Sequence, residues 1–239
     1  MITIIKAACA MFIGFFAGPA MVYIFNRVPA KWLCDYGETP PQELTDPNVK
    51  RIKENPWRWV YAAGFICLAI RLSLADVTPM LVHQQLLSAI DCGQLALAGL
   101  IACWLLLFIA LADIKYMIIP DQFVLMLAVT SIGYLPFRNG IFDPLIGMAI
   151  GGGSMLIVAG LGALMKKELL GFGDVKLCAA LGLVLGMRGM IAVLILAVLA
   201  AGIYAAVSLA ARKLKKNDRF PLGPFICGSA IAYIFVVIW

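Results

Sequence analysis

Two stretches of this chain put carboxylates where carboxylates are costly. In "ADIKYMIIPDQF", residues 112 to 123, Asp113 ends one apolar run and Asp121 begins the next. In "GFGDVK", residues 171 to 176, Asp174 follows Gly171 and Gly173 and opens another apolar run. An ionised side chain at or within a hydrocarbon layer costs several kcal/mol unless it is paired or hydrated, so acids in such places are candidates for chemistry. Two carboxyls brought from separate helices to one recessed, partly wet site could hydrolyse an amide. One, ionised, would take a proton from water, and the other, protonated, would polarise the scissile carbonyl. Asp174 sits at a helix start, where the dipole favours an anion, and Asp113 at a helix end. Helix ends alone therefore assign the water-activating carboxylate to Asp174 and the proton to Asp113. Glycine at 171 and 173 suits a sharp turn into the helix and leaves an extended peptide free to reach the acid.

A capping reading stands beside each of these. Asp174 could close the N-terminus of "VKLCAALGLVL", and Asp121, directly after Pro120, reads as a cap rather than a catalyst. Asp76, Asp91 and Asp143 fall on the opposite side of the expected topology. The sole histidine, His83, reads as a loop residue there, which removes histidine-based nucleophile chemistry and histidine metal sites, and no serine has a usable partner.

The elements that must carry these acids follow from composition. The 239 residues are 63% hydrophobic and 13% charged, with a mean hydropathy of +0.98. Soluble domains run near half apolar and a quarter charged. Apolar runs close to the ~20 residues needed to cross a bilayer recur along the whole length, and in lipid each must satisfy its own backbone groups. The expected fold is all-α: a polytopic membrane protein of about eight transmembrane helices, near 4–25, 59–75, 93–112, 122–137, 144–165, 175–187, 190–211 and 222–239. The N-terminal run reads as a retained span rather than a signal peptide. A single membrane-embedded domain over 1–239 leaves one sizeable loop, 26–58, polar and broken by prolines. Gly147 with Gly151, and Gly182 with Gly186, are small-residue pairs suited to close helix packing.

Sidedness follows from charge. Of 19 lysines and arginines, Lys6, Arg71, Arg138 and Arg188 fall in one set of alternate loops and the other 15 in the second. The positive-inside rule makes the richer set cytoplasmic. Both termini are then outside, and Asp113 and Asp174 share the cytoplasmic face with the 26–58 loop. The net charge of +6 thus reports topology and an anionic lipid bilayer, with no nucleic-acid partner. The seven cysteines stand singly with no C-x-x-C pair, which argues against a zinc site or a disulfide framework.

An Asp, a short basic stretch and I-P-D, then G-x-G-D some sixty residues later before a helix, resembles the type IV prepilin peptidases, the G-x-G-D aspartyl proteases of the bacterial inner membrane. Here these are Asp113, "IPD" at 119–121 with Pro120 and Asp121, and Gly171, Gly173 and Asp174. "FPLGPF", 220–225, resembles that family's P-F-G-P element through Pro221, Gly223 and Pro224, and "RVP", 27–29, its R-L-P. Presenilin-like proteases share G-x-G-D but carry tyrosine before the first acid, where this chain has Ala112.

The resemblance implies a multi-pass inner-membrane endopeptidase that removes the short basic leader of prepilins or pseudopilins, cutting after a glycine on the cytoplasmic side. Asp113 and Asp174 would be catalytic, with Gly171, Gly173, Pro120, Asp121, Lys176, Pro221, Gly223 and Pro224 binding substrate or shaping the site. Peptide hydrolysis of this kind needs no cofactor. Many members also N-methylate the new terminus from S-adenosylmethionine. This chain lacks the C-x-x-C pairs of many members, has Val22 where the family often has asparagine, and shows no nucleotide fingerprint in 26–58. A proton-coupled transporter component is the reading from another class, since membrane acids also build proton relays; it would call for broken helices at the midplane.

Overall fold

Continuous apolar runs close their backbone hydrogen bonds within themselves, and in the computed structural model they form helices. Residues 2–34, 40, 42–46, 49–73, 88–137, 140, 142–164, 170–211 and 220–236 are described, and among them there is no strand. His83, Asp76 and the side chain of Asp91 lie outside the described residues. The helices are α1 (Ile2–Arg27), the short α2 (Gln42–Thr45), α3 (Trp57–Ser73), α4 (Ser88–Tyr116), α5 (Asp121–Thr130), α6 (Phe142–Leu164), α7 (Phe172–Ala210) and α8 (Gly223–Val236), with 3-10 turns at Ala30–Leu33 and Ser131–Phe137. Ala7–Arg27, Gln94–Tyr116, Phe142–Leu164 and Phe172–Ala210 are long and apolar enough to cross a membrane; Asp121–Leu135 and Gly223–Val236 are shorter apolar stretches.

The chain divides into two compact units, Met1–Phe108 with Ile234–Trp239, and Ile109–Tyr233. In the first, α1 lies along α3. The segment that follows α2 is fastened to the end of α1 by two side chains. Arg51 donates to the carbonyls of Phe25 (3.2 Å), Val28 (2.6 Å) and Leu44 (3.1 Å), and Asn26 exchanges hydrogen bonds with the backbone of Ile52 at 3.0 and 2.8 Å. Arg51 thereby satisfies carbonyls left over at a helix C-terminus.

In the second unit α6 and the first half of α7 run antiparallel, with Gly147 against Gly182 and Gly151 against Cys178. A Cβ on Gly147 or Gly182 would collide with the facing backbone, so the small-residue pairs seen in the sequence are what lets these helices touch. The expected separate spans at 175–187 and 190–211 are one helical run interrupted at a single residue. Gly186 has φ 70° and ψ −176°, a conformation open to glycine and strained for residues with a Cβ. The break frees the N–H of Met187, and Asp143, in the first turn of α6, accepts it at 3.2 Å. Asp143, assigned by sequence only to the side away from the site, is thus a cap for the second half of α7.

That second half runs antiparallel to α8. A Cβ on Gly189 would stand 3.0 Å from the Tyr233 ring, and Tyr204 meets Phe225 with ring centroids 5.3 Å apart. Phe220 completes a cluster with both rings at 6.0 and 6.1 Å. The expected helix over 122–137 is α-helical only as far as Thr130, whose hydroxyl donates to the Leu127 carbonyl at 2.6 Å, and continues as a 3-10 turn through Pro136.

Candidate active site

Asp113 occupies the last turn of α4, where it continues the buried stripe of Ile109 and Ala112 and is itself only 5% exposed. The helix runs on to Tyr116, so the acid lies inside the helix rather than at its edge. Its Oδ2 accepts the backbone N–H of Gly223, the first residue of α8, at 2.9 Å. A Cβ on Gly223 would stand 2.5 Å from that oxygen, so glycine is what permits the approach. Pro221 precedes the helix and Pro224 lies in its first turn, where a missing N–H breaks no helical bond. The N–H groups of Phe225 and Ile226 turn back to the Leu222 carbonyl at 3.0 and 3.2 Å.

Asp174 is in the first turn of α7, after the N-cap residue Gly171, and its N–H donates to the Gly171 carbonyl at 3.2 Å. Gly171 has no side chain to cap this helix. The capping reading describes one side of the Asp174 carboxyl, which faces the backbone N–H of Gly171, and leaves Oδ1 buried without a partner. Its carboxylate lies within electrostatic reach of that of Asp113.

Cys178, one turn further along α7, and Cys227, one turn beyond Gly223 on α8, are fully buried and within reach of the carboxyls. Their i+4 spacing from Asp174 and from Gly223 was the signal that would have placed them beside the acids.

Asp121 corrects its capping expectation. The N-cap of α5 is the buried Pro120, no side chain caps the helix, and the Asp121 carboxylate instead takes both its bonds from Lys176 Nζ, at 2.9 and 2.7 Å. Gly173 packs on Ile119, where a Cβ would stand 3.1 Å from the Ile119 Cβ, tighter than an ordinary contact. Gly171 does not make the sharp turn expected of it: its φ of −74° and ψ of 145° suit any residue. It is exposed, and a Cβ there would meet only the Asp174 Oδ2, at 3.6 Å. What glycine provides at 171 is an uncovered carboxyl.

The second unit thus brings Asp113, Asp174 and Gly223 together, with Asp121 and Lys176 paired beside them. One acid has an oxygen held by a helix N-terminal N–H, and the other has a buried oxygen with nothing bonded to it. Helix ends read from sequence gave the N-terminal environment to Asp174 alone. α8 supplies one to Asp113 as well, through the Gly223 N–H. Among the described residues no three metal-ligating side chains gather.

Among known proteins, the model of the type IV leader peptidase family matches residues 100–206, which include both acids. The chain is 26% identical over 192 residues to a prepilin leader peptidase/N-methyltransferase of Aeromonas salmonicida strain A449, covering 77% of this chain and 64% of the relative. It is 23% identical over 262 residues to the protein of that name from Xanthomonas campestris pv. campestris, covering 98% and 90%, and 30% identical over 200 residues to that of Pectobacterium carotovorum subsp. carotovorum, covering 76% and 66%. The chain thus spans somewhat under two thirds of the length of the Aeromonas relative. No solved structure matches it.

Proposed function

From the premise that this chain belongs to the type IV leader peptidase family, we propose that it is a membrane aspartyl endopeptidase that removes the short basic leader of type IV prepilins or pseudopilins. The cut falls after a glycine, on the cytoplasmic side of the substrate's apolar helix. The observation that carries this reading is the pair Asp113 and Asp174, two interacting carboxyls from separate helices with a buried, unbonded oxygen on one of them.

The hydrogen-bonding pattern supports roles opposite to those drawn from helix ends. Asp113, with Oδ2 held by Gly223, keeps its other oxygen for the proton of the attacking water. Asp174, whose Oδ1 has no partner in the resting protein, places its proton on the oxygen of the scissile carbonyl. Water adds to the carbonyl carbon to give a tetrahedral gem-diol, the C–N bond breaks as the departing amine takes the proton that Asp113 received, and one hydroxyl of the gem-diol returns its proton to Asp174 as the C=O bond re-forms. The exposed backbone at Gly171 leaves a path for an extended peptide.

The enzyme works in the bacterial inner membrane. It crosses eight times if α5 with its 3-10 extension and each half of α7 count as spans, with both termini outside and the acids at the cytoplasmic face. The uneven distribution of Lys and Arg supports that orientation. The relatives' names include N-methyltransferase. In the 26–58 loop, Asn26 and Arg51 bind the loop's own backbone and the end of α1.

The test is to incubate the full detergent-solubilised chain with a prepilin and follow leader release by mass spectrometry. Wild type cleaves; Asp113→Asn and Asp174→Asn, folded as judged by an unchanged melting temperature, each lose at least about 10³-fold. Near-normal cleavage by either variant would remove the dyad. Carboxyl-stretch spectra of the same proteins check the roles: the band of the protonated acid disappears in Asp174→Asn and persists in Asp113→Asn, and the reverse pattern restores the roles drawn from helix ends.

A further inference from the structure

Two contacts join the start of α5 to the start of α7, and both involve residues adjoining an acid. Gly173, next to Asp174, receives Ile119, and Lys176, on the same helical turn as Asp174, holds Asp121 through both carboxylate oxygens at 2.9 and 2.7 Å. The chain between Asp113 and Asp121 is short and guided at each end. α4 stops when Met117 takes φ 54°, a left-handed position unusual for a residue other than glycine, with its N–H on the Asp113 carbonyl at 2.9 Å. At the other end the buried Pro120 opens α5, its carbonyl accepting the N–H groups of Phe123 and Val124 at 3.1 and 3.2 Å.

We propose that the Asp121–Lys176 ion pair is a positioning clamp for the reaction proposed above, on which the inference rests: with the Ile119–Gly173 contact it sets the separation of Asp113 and Asp174. Neither partner of the pair hydrogen-bonds to those acids. The Lys176 ammonium bonds to Asp121 and lies 5.3 Å from the centre of the Phe172 ring, so it acts through the helix start it belongs to.

Magnitudes separate this role from a purely structural one. The two side chains are 38% and 37% exposed, and pairs of that kind add little to global stability, so their loss leaves the fold in place. A reacting geometry displaced by about 1 Å loses roughly 10²-fold in rate. A weak pair in this place therefore matters to turnover far more than to folding.

Lys176→Met and Asp121→Asn in the full detergent-solubilised chain should each lower kcat about 10²-fold on a prepilin, with KM changed less than about twofold. The double variant should be no worse than either single one. The exchanged pair, Asp121→Lys with Lys176→Asp, should recover most of the loss. A raised KM with kcat unchanged would make the pair a docking site for the substrate's charges and overturn the clamp, as would unimpaired single variants or a folded exchange variant that recovers nothing. Amide exchange measured by mass spectrometry gives a readout apart from activity: 117–124 should exchange faster in both single variants and return toward wild type in the exchanged pair, while 147–155 stays unchanged. Unaltered exchange at 117–124 overturns the clamp. If wild type cleaves no prepilin, the peptidase reading fails, and amide exchange still decides the clamp.

Discussion

At the scale of the residue, the acids of this site differ in their bonds. Asp113 is tied to the start of α8 through Gly223, Asp174 has a buried oxygen without a bond, and Asp121 is occupied by Lys176. The two glycines of G-x-G-D part company in the same way. Gly173 is packed against Ile119, whereas Gly171 is exposed and has an ordinary backbone conformation. Gly171→Leu should therefore cut leader release at least about tenfold by covering the Asp174 carboxyl, without a change in melting temperature. Gly173→Leu should lower both activity and stability, the latter by about 1–3 kcal/mol, because the side chain must displace Ile119. Equal thermal stability for the two variants would undo this distinction.

At the scale of the element, α7 is two helices that share one glycine. The left-handed turn at Gly186 makes the break, and Asp143, from the start of α6, supplies the cap that an isolated second helix would need. Asp143→Ala should cost about 1 kcal/mol, as for other lost helix caps. Gly186→Ala should cost about 1–2 kcal/mol for a left-handed residue with a Cβ. Since both act on one turn, the double variant should fall short of their sum. Denaturant unfolding in mixed micelles measures all three, and strict additivity would count against a shared turn. Both sites lie among the residues packed at the Gly147–Gly182 crossing rather than beside the acids, so leader cleavage by the folded fraction should be unaffected.

At the scale of the whole molecule, the distribution of positive charge predicts an orientation that labelling can test. Lys31 lies in a basic loop and Phe142 beyond one of the sparse set, and both are exposed. In spheroplasts, a membrane-impermeant maleimide should label Phe142→Cys directly and Lys31→Cys only after permeabilisation, each measured against the native cysteines. The opposite order would turn the protein over in the membrane and put the acids on the face where no basic leader waits.

The all-helical class, the approximate limits of the apolar runs and the unusual placement of Asp113 and Asp174 were legible from the sequence alone. Hydropathy, helical period and the cost of a charge in hydrocarbon act over a few neighbouring residues, and a sequence displays its neighbours. Glycines spaced for close packing at 147, 151, 182 and 186 were legible for the same reason, though not that Gly186 is also the turn. The partners were decided by the tertiary structure. Gly223 reaches Asp113 across 110 positions, Lys176 reaches Asp121 across 55, and Asp143 reaches Met187 across 44. Each of these acids stands near a helix end, and from local spacing Asp121 reads as a cap while Asp174 reads equally as a cap or a catalyst. Which of them caps a helix, which pairs with a lysine and which keeps an oxygen unbonded depends on the N–H or ammonium that the folded chain brings to it.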